Sequence, residues 1–506
     1  MQGEALEVEV AGAGGRGARG GGAGRVVSPG SGRETVGPGE RVTLEPGGAA
    51  ALGEGLRSSC TRASVLLGTG GGVTAMALAS APRIADEGAI GGLHYLAVGV
   101  TPSRLPELHQ PGEGPVPGPA SVQVWKLRPE ISCGADGSGD VPWASCSYSF
   151  SHQRGDAMHM EFCPPMASSS LENPPKKQKI AGSQQAEAPS IGRLGALFRD
   201  GTLALWDLTS ARAGDAHDAF TDFGPAATSD YITSTMETMP LRLAWRTAKD
   251  VTEIAVTCSN GTVVIFRVQD APSGAVGLRV VSRIAVDAHP LRCILWLPES
   301  RDEGTTLSTI IVTGGVSGKL FVIDTRAPDL PLGIFPCGKG FVEDVSCSPH
   351  FDGFTSAHEY GLLRLWDLSK AKRPYNCEVS KLALKSLAPA SQKPGEDMTL
   401  FCSAGGAVMR IKAAREGTGQ RRKIHAAPMC LGALEWVENH LKVHALPDAD
   451  TMTGCPKQQA ESDQRKNIQW VCSTPCRGPE LVNARGRHSV VFGCRGGLVW
   501  WQVVSS

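Results

Sequence analysis

Apolar and polar residues alternate in short runs along this chain, and glycines punctuate them. In residues 194–208 an apolar run ends at Phe198, Arg199-Asp200-Gly201 follows, and a second run of small and apolar residues climbs to Trp206. A polar-Gly pair between two apolar runs predicts a tight β-hairpin, because glycine takes positive φ without steric cost. The unit recurs. Ser259-Asn260-Gly261 leads to Phe266, Ser317-Gly318 to Ile323-Asp324, Tyr360-Gly361 to Trp366-Asp367-Leu368, Gly405-Gly406 to Ile411, and Arg495-Gly496 to Trp501. In all six hairpins the turn glycine stands five positions before the large apolar residue.

Another apolar stretch precedes these hairpins, at 157–164, 240–247, 290–298, 341–349 and 430–437, often close to a proline or carrying a tryptophan. His152, His289 and His425 lie just ahead of three of them, and Trp-Asp closes the hairpin at Trp206-Asp207 and Trp366-Asp367. A strand, a hairpin, a preceding His and a closing Trp-Asp resemble the WD repeat. The fold that resemblance implies is all-β: a seven-bladed WD-repeat β-propeller with loop insertions, over residues 61–506. Its histidines are expected to be structural hydrogen-bonders. The first blade is expected from 73–80, 94–100 and 122–127, the sixth from 381–387, 399–403 and 408–413, and the seventh from 430, with strands at 489–493 and 498–504. Insertions are expected at 101–120, 166–190 and 445–485. The chain stops after the third strand of the last blade, so the apolar run 63–67 is expected to supply the fourth and close the ring, because open edges invite aggregation. Deleting 61–70 should then destabilise the domain, and deleting 1–55 should do little.

Composition adds a tail. Residues 1–60 are dominated by Gly, Ala, Arg and Glu and are expected to be a disordered Gly-rich segment, too poor in apolar side chains to offset its ordering entropy. Lysine plus arginine equals aspartate plus glutamate, 50 against 50, so no global charge draws the chain to nucleic acid or a membrane surface. The 15 cysteines are odd in number and many fall in expected strands, which points to free buried thiols in a reducing compartment. No C-x-x-C pair and no apolar run near 18 residues occurs, so neither a zinc site nor a membrane span is expected.

Chemistry is mostly absent. The chain has no G-x-S-x-G elbow, no H-E-x-x-H, and no paired acidic strand ends. Gly70-x-Gly72-x-x-Ala75 loosely fits a dinucleotide loop, but Pro82 stops the apolar stretch too soon for the helix that would hold a pyrophosphate. No catalytic residue, cofactor, metal or small-molecule substrate is expected. Two local features bear on partners. Pro174-Pro175 with Lys176, Lys177 and Lys179 matches a short nuclear-import pattern. Lys370, Lys372, Arg373, Lys381 and Lys385 precede a denser basic set, Arg410, Lys412, Arg415, Arg421, Arg422 and Lys423, which would form a phosphate-contacting patch if it shared one rim.

The first two expected blades carry a closer likeness. His94-Tyr95-Leu96-Ala97-Val98-Gly99 is followed by an insertion, then Val122-Gln123-Val124-Trp125-Lys126-Leu127, then Met160-Glu161-Phe162-Cys163-Pro164, an insertion, and Gly192-Arg193-Leu194-Gly195-Ala196-Leu197 running into Asp200-Gly201-Thr202. Over about 92–208 this order resembles the WD-repeat subunit of general transcription factor IIIC. The likeness implies a nuclear, non-catalytic scaffold in a multiprotein complex on internal promoters of transfer RNA genes for RNA polymerase III, touching DNA indirectly or weakly. Lys126 stands where that family has an acidic residue. An alternative comes from Ile323-Asp324-Thr325-Arg326, which resembles the W-D-x-R box of substrate receptors for cullin-type ubiquitin ligases. In that reading Asp324 and Arg326 form the docking contact.

Overall fold

The computed structural model describes residues 5–11, 25–29, 34–37, 39–52, 61–80, 93–102, 118–128, 143–164, 190–209, 224–248, 251–271, 275–297, 309–338, 340–347, 353–367, 374–380, 383–389, 398–404, 407–413, 429–437, 440–444, 470–475, 487–494 and 497–505. Nearly all of them are β. Six strands precede the repeats: β1 (Leu6–Val10), β2 (Arg25–Val27), β3 (Thr35–Val36), β4 (Arg41–Leu44), β5 (Ala49–Leu52) and β6 (Thr61–Gly68). Five four-stranded antiparallel sheets follow. The first is β7 (Gly72–Ser80), β8 (His94–Thr101), β9 (Ala120–Arg128) and β10 (Trp143–His152). The second is β11 (Ala157–Phe162), β12 (Ser190–Phe198), β13 (Leu203–Thr209) and β14 (Ala227–Ser229), with the short helix α1 (Tyr231–Met236) behind it. The third is β15 (Pro240–Ala248), β16 (Val251–Cys258), β17 (Thr262–Asp270) and β18 (Val276–Ala285). The fourth is β19 (Leu291–Trp296), β20 (Ile310–Gly315), β21 (Lys319–Asp324) and β22 (Gly333–Pro336). The fifth is β23 (Val342–Ser346), β24 (Gly353–His358), β25 (Leu362–Asp367) and β26 (Tyr375–Glu378). A sixth sheet holds β27 (Leu384–Pro389), β28 (Met398–Ala404), β29 (Ala407–Ala413), β30 (Met429–Val437) and β31 (His440–His444), extended by β1, β4 and β2. The seventh holds β32 (Trp470–Pro475), β33 (Arg487–Cys494) and β34 (Leu498–Ser505), extended by β6, β5 and β3.

Successive sheets meet in order. β7 contacts β11, β11 contacts β15, and the contacts pass through β19, β23, β27 and β32 back to β7. The core follows the same circuit. One apolar cluster lies between each neighbouring pair of sheets, including the last and the first, where Trp501, Val491 and Val499 meet Trp125, Leu96 and Val98. Burial explains the residue patterns. Second strands lie between two neighbouring sheets, so both faces are apolar, and all eight residues of β8 are buried. Outer strands β22 and β26 alternate half-buried with exposed, as strands with one wet face do. The arrangement is compatible with a β-propeller of WD type.

The hairpin turns use the expected chemistry. Gly201, Gly261, Gly318 and Gly361 all have φ between +69° and +86°, and each donates its N–H to the last carbonyl of the preceding strand. A Cβ on Gly261 would collide with the Asp287 carbonyl. Asp200 and Asn260 accept the N–H of Thr202 and Thr262, which tightens those turns.

Three expectations change. The last hairpin has Gly497 at φ +90°, with its N–H on the Cys494 carbonyl, while the expected turn glycine Gly496 lies outside the described residues; counted from Gly497, the five-residue spacing lands on the buried Gln502, not Trp501. Residues 430–437 do not open the seventh sheet. They form β30, hydrogen-bonded to β29 as the fourth strand of the sixth, and β32 inside the expected 445–485 insertion opens the seventh. The N-terminal 60 residues, expected to be a disordered tail, contribute the five strands β1 to β5. β1 runs parallel to β31, with Val8 opposite Leu441, and β5 pairs with β6. The reason is local: Leu6-Glu7-Val8-Glu9-Val10 and Arg41-Val42-Thr43-Leu44 alternate apolar with polar, and Leu6, Val8, Val10, Val42 and Leu44 all enter the core between the sixth and seventh sheets. β6 pairs antiparallel with β34, Val65 opposite Trp501.

Candidate docking face around the inner strands

Each of the seven sheets begins with the same irregularity. The first strand pairs with the second over its first residue, or its first two in the first sheet, then slips by one: at Val73/Ala75, Ala157/His159, Pro240/Arg242, Leu291/Cys293, Val342/Asp344, Leu384/Ser386 and Trp470/Cys472. The extra residue of such a bulge stands out of the ladder and is re-aimed. The extra residues are Thr74, Met158, Leu241, Arg292, Glu343, Lys385 and Val471. They occupy one level of the seven innermost strands, and three of them reach one another. Arg292 Nη2 lies 2.9 Å from Glu343 Oε2, and Lys385 Nζ lies 2.7 Å from Glu343 Oε1. Glu343 is 4% exposed and therefore needs both cations, since an unpaired buried carboxylate is costly. Arg292 also lies over the Phe341 ring, 5.8 Å from its centroid.

Around this charged arc the sheets are stitched by polar contacts. Asp344 accepts the N–H of Leu387 in the next sheet at 2.8 Å. Trp245 Nε1 donates to the Glu161 carbonyl, and Trp296 Nε1 to the Ala244 carbonyl. Across the ring the level is neutral: Thr74 is buried, and Met158 and Leu241 are half-buried. The bulge level of the first strands is thus split into a charged part and a neutral part. Among the described residues no group of three or more His, Cys, Asp or Glu could hold a metal ion.

The structure sorts the residues singled out by sequence. His152 is largely buried. Its Nδ1 accepts the Arg154 N–H, and its ring meets Phe198 edge-on at 4.6 Å. Burial, with help from Arg154, pushes its pKa down to about 4. His289 contacts Asp287 at 3.3 Å, and His425 lies outside the described residues. A histidine that the repeat spacing missed, His358, completes a buried chain: Trp366 Nε1 donates to Ser356 Oγ, which bonds His358 Nε2, both at 2.8 Å.

Lys176, Lys177 and Lys179 lie outside the described residues, as do Arg415, Arg421, Arg422 and Lys423. Arg410 is 7% exposed, because β29 is an interior strand covered on both faces; it is no part of a wet basic rim. Lys412 follows it on the same strand, opposite Thr399. Lys385 belongs to the inner arc. Asp324 and Arg326 do come together: the guanidinium grips the carboxylate at 2.7 to 3.1 Å and holds its pKa well below the usual range. Arg326 remains largely exposed, and Leu330, Leu332 and Ile334 just beyond it are exposed too. Arg292 and Glu343 were legible only as a polar residue after the first apolar position of two neighbouring repeats. No family model matches this chain, and neither does any curated protein.

Proposed function

We propose that residues 61–506 form a seven-bladed WD-repeat β-propeller closed by β6, and that the protein is a non-catalytic scaffold subunit of transcription factor IIIC. In this reading it works in the nucleus, assembles with the other subunits on internal promoters of transfer RNA genes for RNA polymerase III, and meets DNA indirectly or weakly. The observation that supports the propeller is the bulge repeated at the mouth of all seven inner strands, together with the closed circuit of core clusters. Such rings bind other proteins through their faces and rims. The choice of complex rests on the order of strands and insertions over 92–208.

Affinity purification of the tagged chain from native nuclei, with mass-spectrometric identification, tests it. Recovery of the other subunits of that factor is the expected result. Recovery of a cullin and its adaptor instead would overturn it in favour of a ligase substrate receptor. That second reading draws support from the exposed Arg326 beside exposed Leu330, Leu332 and Ile334, a cationic and apolar patch of the kind that docks a partner.

A further inference from the structure

A row of charged residues crosses the third sheet from its inner to its outer strand. Arg246 on β15 is opposite Glu253 on β16, Glu253 is opposite Arg267 on β17, and Arg267 is opposite Arg279 on β18. Cross-strand partners share a face, so the four side chains form one ladder. Glu253 is buried and takes both inner guanidinium groups, Arg246 Nη1 at 2.7 Å and Arg267 Nη2 at 2.8 Å. Arg246 is further clamped over the Trp296 ring of the fourth sheet, at 5.1 Å, with its Nε buried and unpartnered. The row therefore holds three cations and one carboxylate, which Arg246 and Arg267 contact and Arg279 does not. The surplus gathers at the outer end, where Arg267 is 47% exposed and Arg279 is exposed with no acidic partner among the described residues. Two like charges directly opposite each other destabilise a sheet. Here Glu253 answers Arg267 from the inner side, and Arg279 is left without a counter-charge of its own among the described residues.

The same end of the row is an open backbone. β18 is the terminal strand of its sheet and is ten residues long, against three, four and four for the outer strands β14, β22 and β26. β10 is equally long, but half of its residues are buried and only one is exposed. β18 has no proline, and its residues alternate between half-buried and exposed from Leu278 to Arg283. The bulge at Val281 leaves 276–280 as a regular edge with free main-chain donors and acceptors.

We propose that β18 is a docking edge for an extended acidic segment of another protein, which adds as a fifth strand along 276–280 and sets a carboxylate against Arg279 and Arg267. Main-chain pairing supplies the generic part of such a contact, and the arginine fork supplies selection, because it matches a carboxylate with two parallel hydrogen bonds. A peptide fits better than a nucleic acid strand. The open main chain of 276–280 is matched by a peptide's own donors and acceptors and not by a sugar-phosphate strand, and Asp270, 63% exposed, stands on the neighbouring strand opposite Val276, where it opposes a uniform polyanion. Arg283 faces away, over the Tyr231 ring at 4.8 Å.

The test uses the full chain and a fluorescent decapeptide of alternating Glu and Val, followed by anisotropy. Arg279→Glu should weaken binding about tenfold or more, since it removes a charge-assisted contact and adds a repulsion. Arg283→Ala should leave binding within about twofold. A peptide with Pro at every second position should fail to bind, because it cannot join the ladder. Circular dichroism of Arg279→Glu should match the parent, as the side chain touches nothing inside. Equal binding by Arg279→Glu, retained binding of the proline peptide, or no binding of the Glu-Val peptide at millimolar concentration would overturn the proposal. So would tighter binding of a duplex DNA that Arg279→Glu abolishes, which would assign the row to phosphate.

Discussion

Single residues carry the electrostatics that hold neighbouring sheets at fixed spacing. Glu343 lies between Arg292 and Lys385, and the three are not equivalent. The cations are partly exposed, 35% and 44%, whereas Glu343 is 4% exposed. Removing both cations with Arg292→Ala and Lys385→Ala strands a buried carboxylate and should cost about 3 to 5 kcal/mol in urea unfolding. Glu343→Gln leaves cations that can turn to water and should cost only about 1 kcal/mol. Equal losses would mean the arc is not held by charge.

Buried histidines give the fold a pH dependence. Burial pushes His94 down to about 4; burial and then Arg154 push His152 to about 4; burial and then Arg364 push His358 to about 3. Each is neutral when folded and takes a proton near 6.5 when unfolded. The unfolded state therefore binds more protons below that value, and stability falls as pH drops from about 6.5 toward 4. The melting temperature should fall by several degrees over that window, and His358→Gln should flatten the slope.

At the level of elements, the informative one is the N-terminal arm. β1, β2 and β4 extend the sixth sheet, while β3 and β5 extend the seventh, so one stretch of chain crosses between two sheets and fills the space between them. Deleting 1–55 removes Leu6, Val8, Val10, Val27, Val36, Val42, Leu44 and Leu52 from that core and should lower the melting temperature clearly, contrary to what composition suggested. Val8→Asp, which buries a charge opposite Leu441, should reproduce much of the loss. Deleting 61–70 removes β6 and with it the only partner of β34 other than β33 among the described residues; the expected result is loss of the cooperative transition in differential scanning calorimetry. Gly261→Ala should cost more than about 1 kcal/mol, because that turn needs positive φ and its Cβ would meet the Asp287 carbonyl.

At the level of the whole molecule, the surface is divided by function of position. The inner bulges present a split charged and neutral mouth, and the third sheet presents an open basic edge. As proposed docking surfaces they lie on different strands of the sheets. The two docking predictions can therefore be separated: Arg279→Glu should leave co-purification of partners bound at the mouth unchanged, and the Arg292 and Lys385 pair should affect them first.

The hairpins were legible because a β-turn is a local event. Gly201, Gly261, Gly318 and Gly361 need only their own φ and the residues beside them. The apolar second strands were legible for the same reason of period. What the linear pattern left undecided is everything set by distant neighbours. Whether 430–437 opens one sheet or finishes another depends on which backbone is free to pair, and β29 claims it. Whether Arg410 is wet depends on the sheets that cover β29, not on its charged neighbours in sequence. Whether Leu6-Glu7-Val8-Glu9-Val10 folds at all depends on β31, more than 400 residues away, offering it an edge and a core. And Arg292, Glu343 and Lys385, scattered over three sheets, become one ionic chain only when the packing of β19, β23 and β27 brings their bulges side by side.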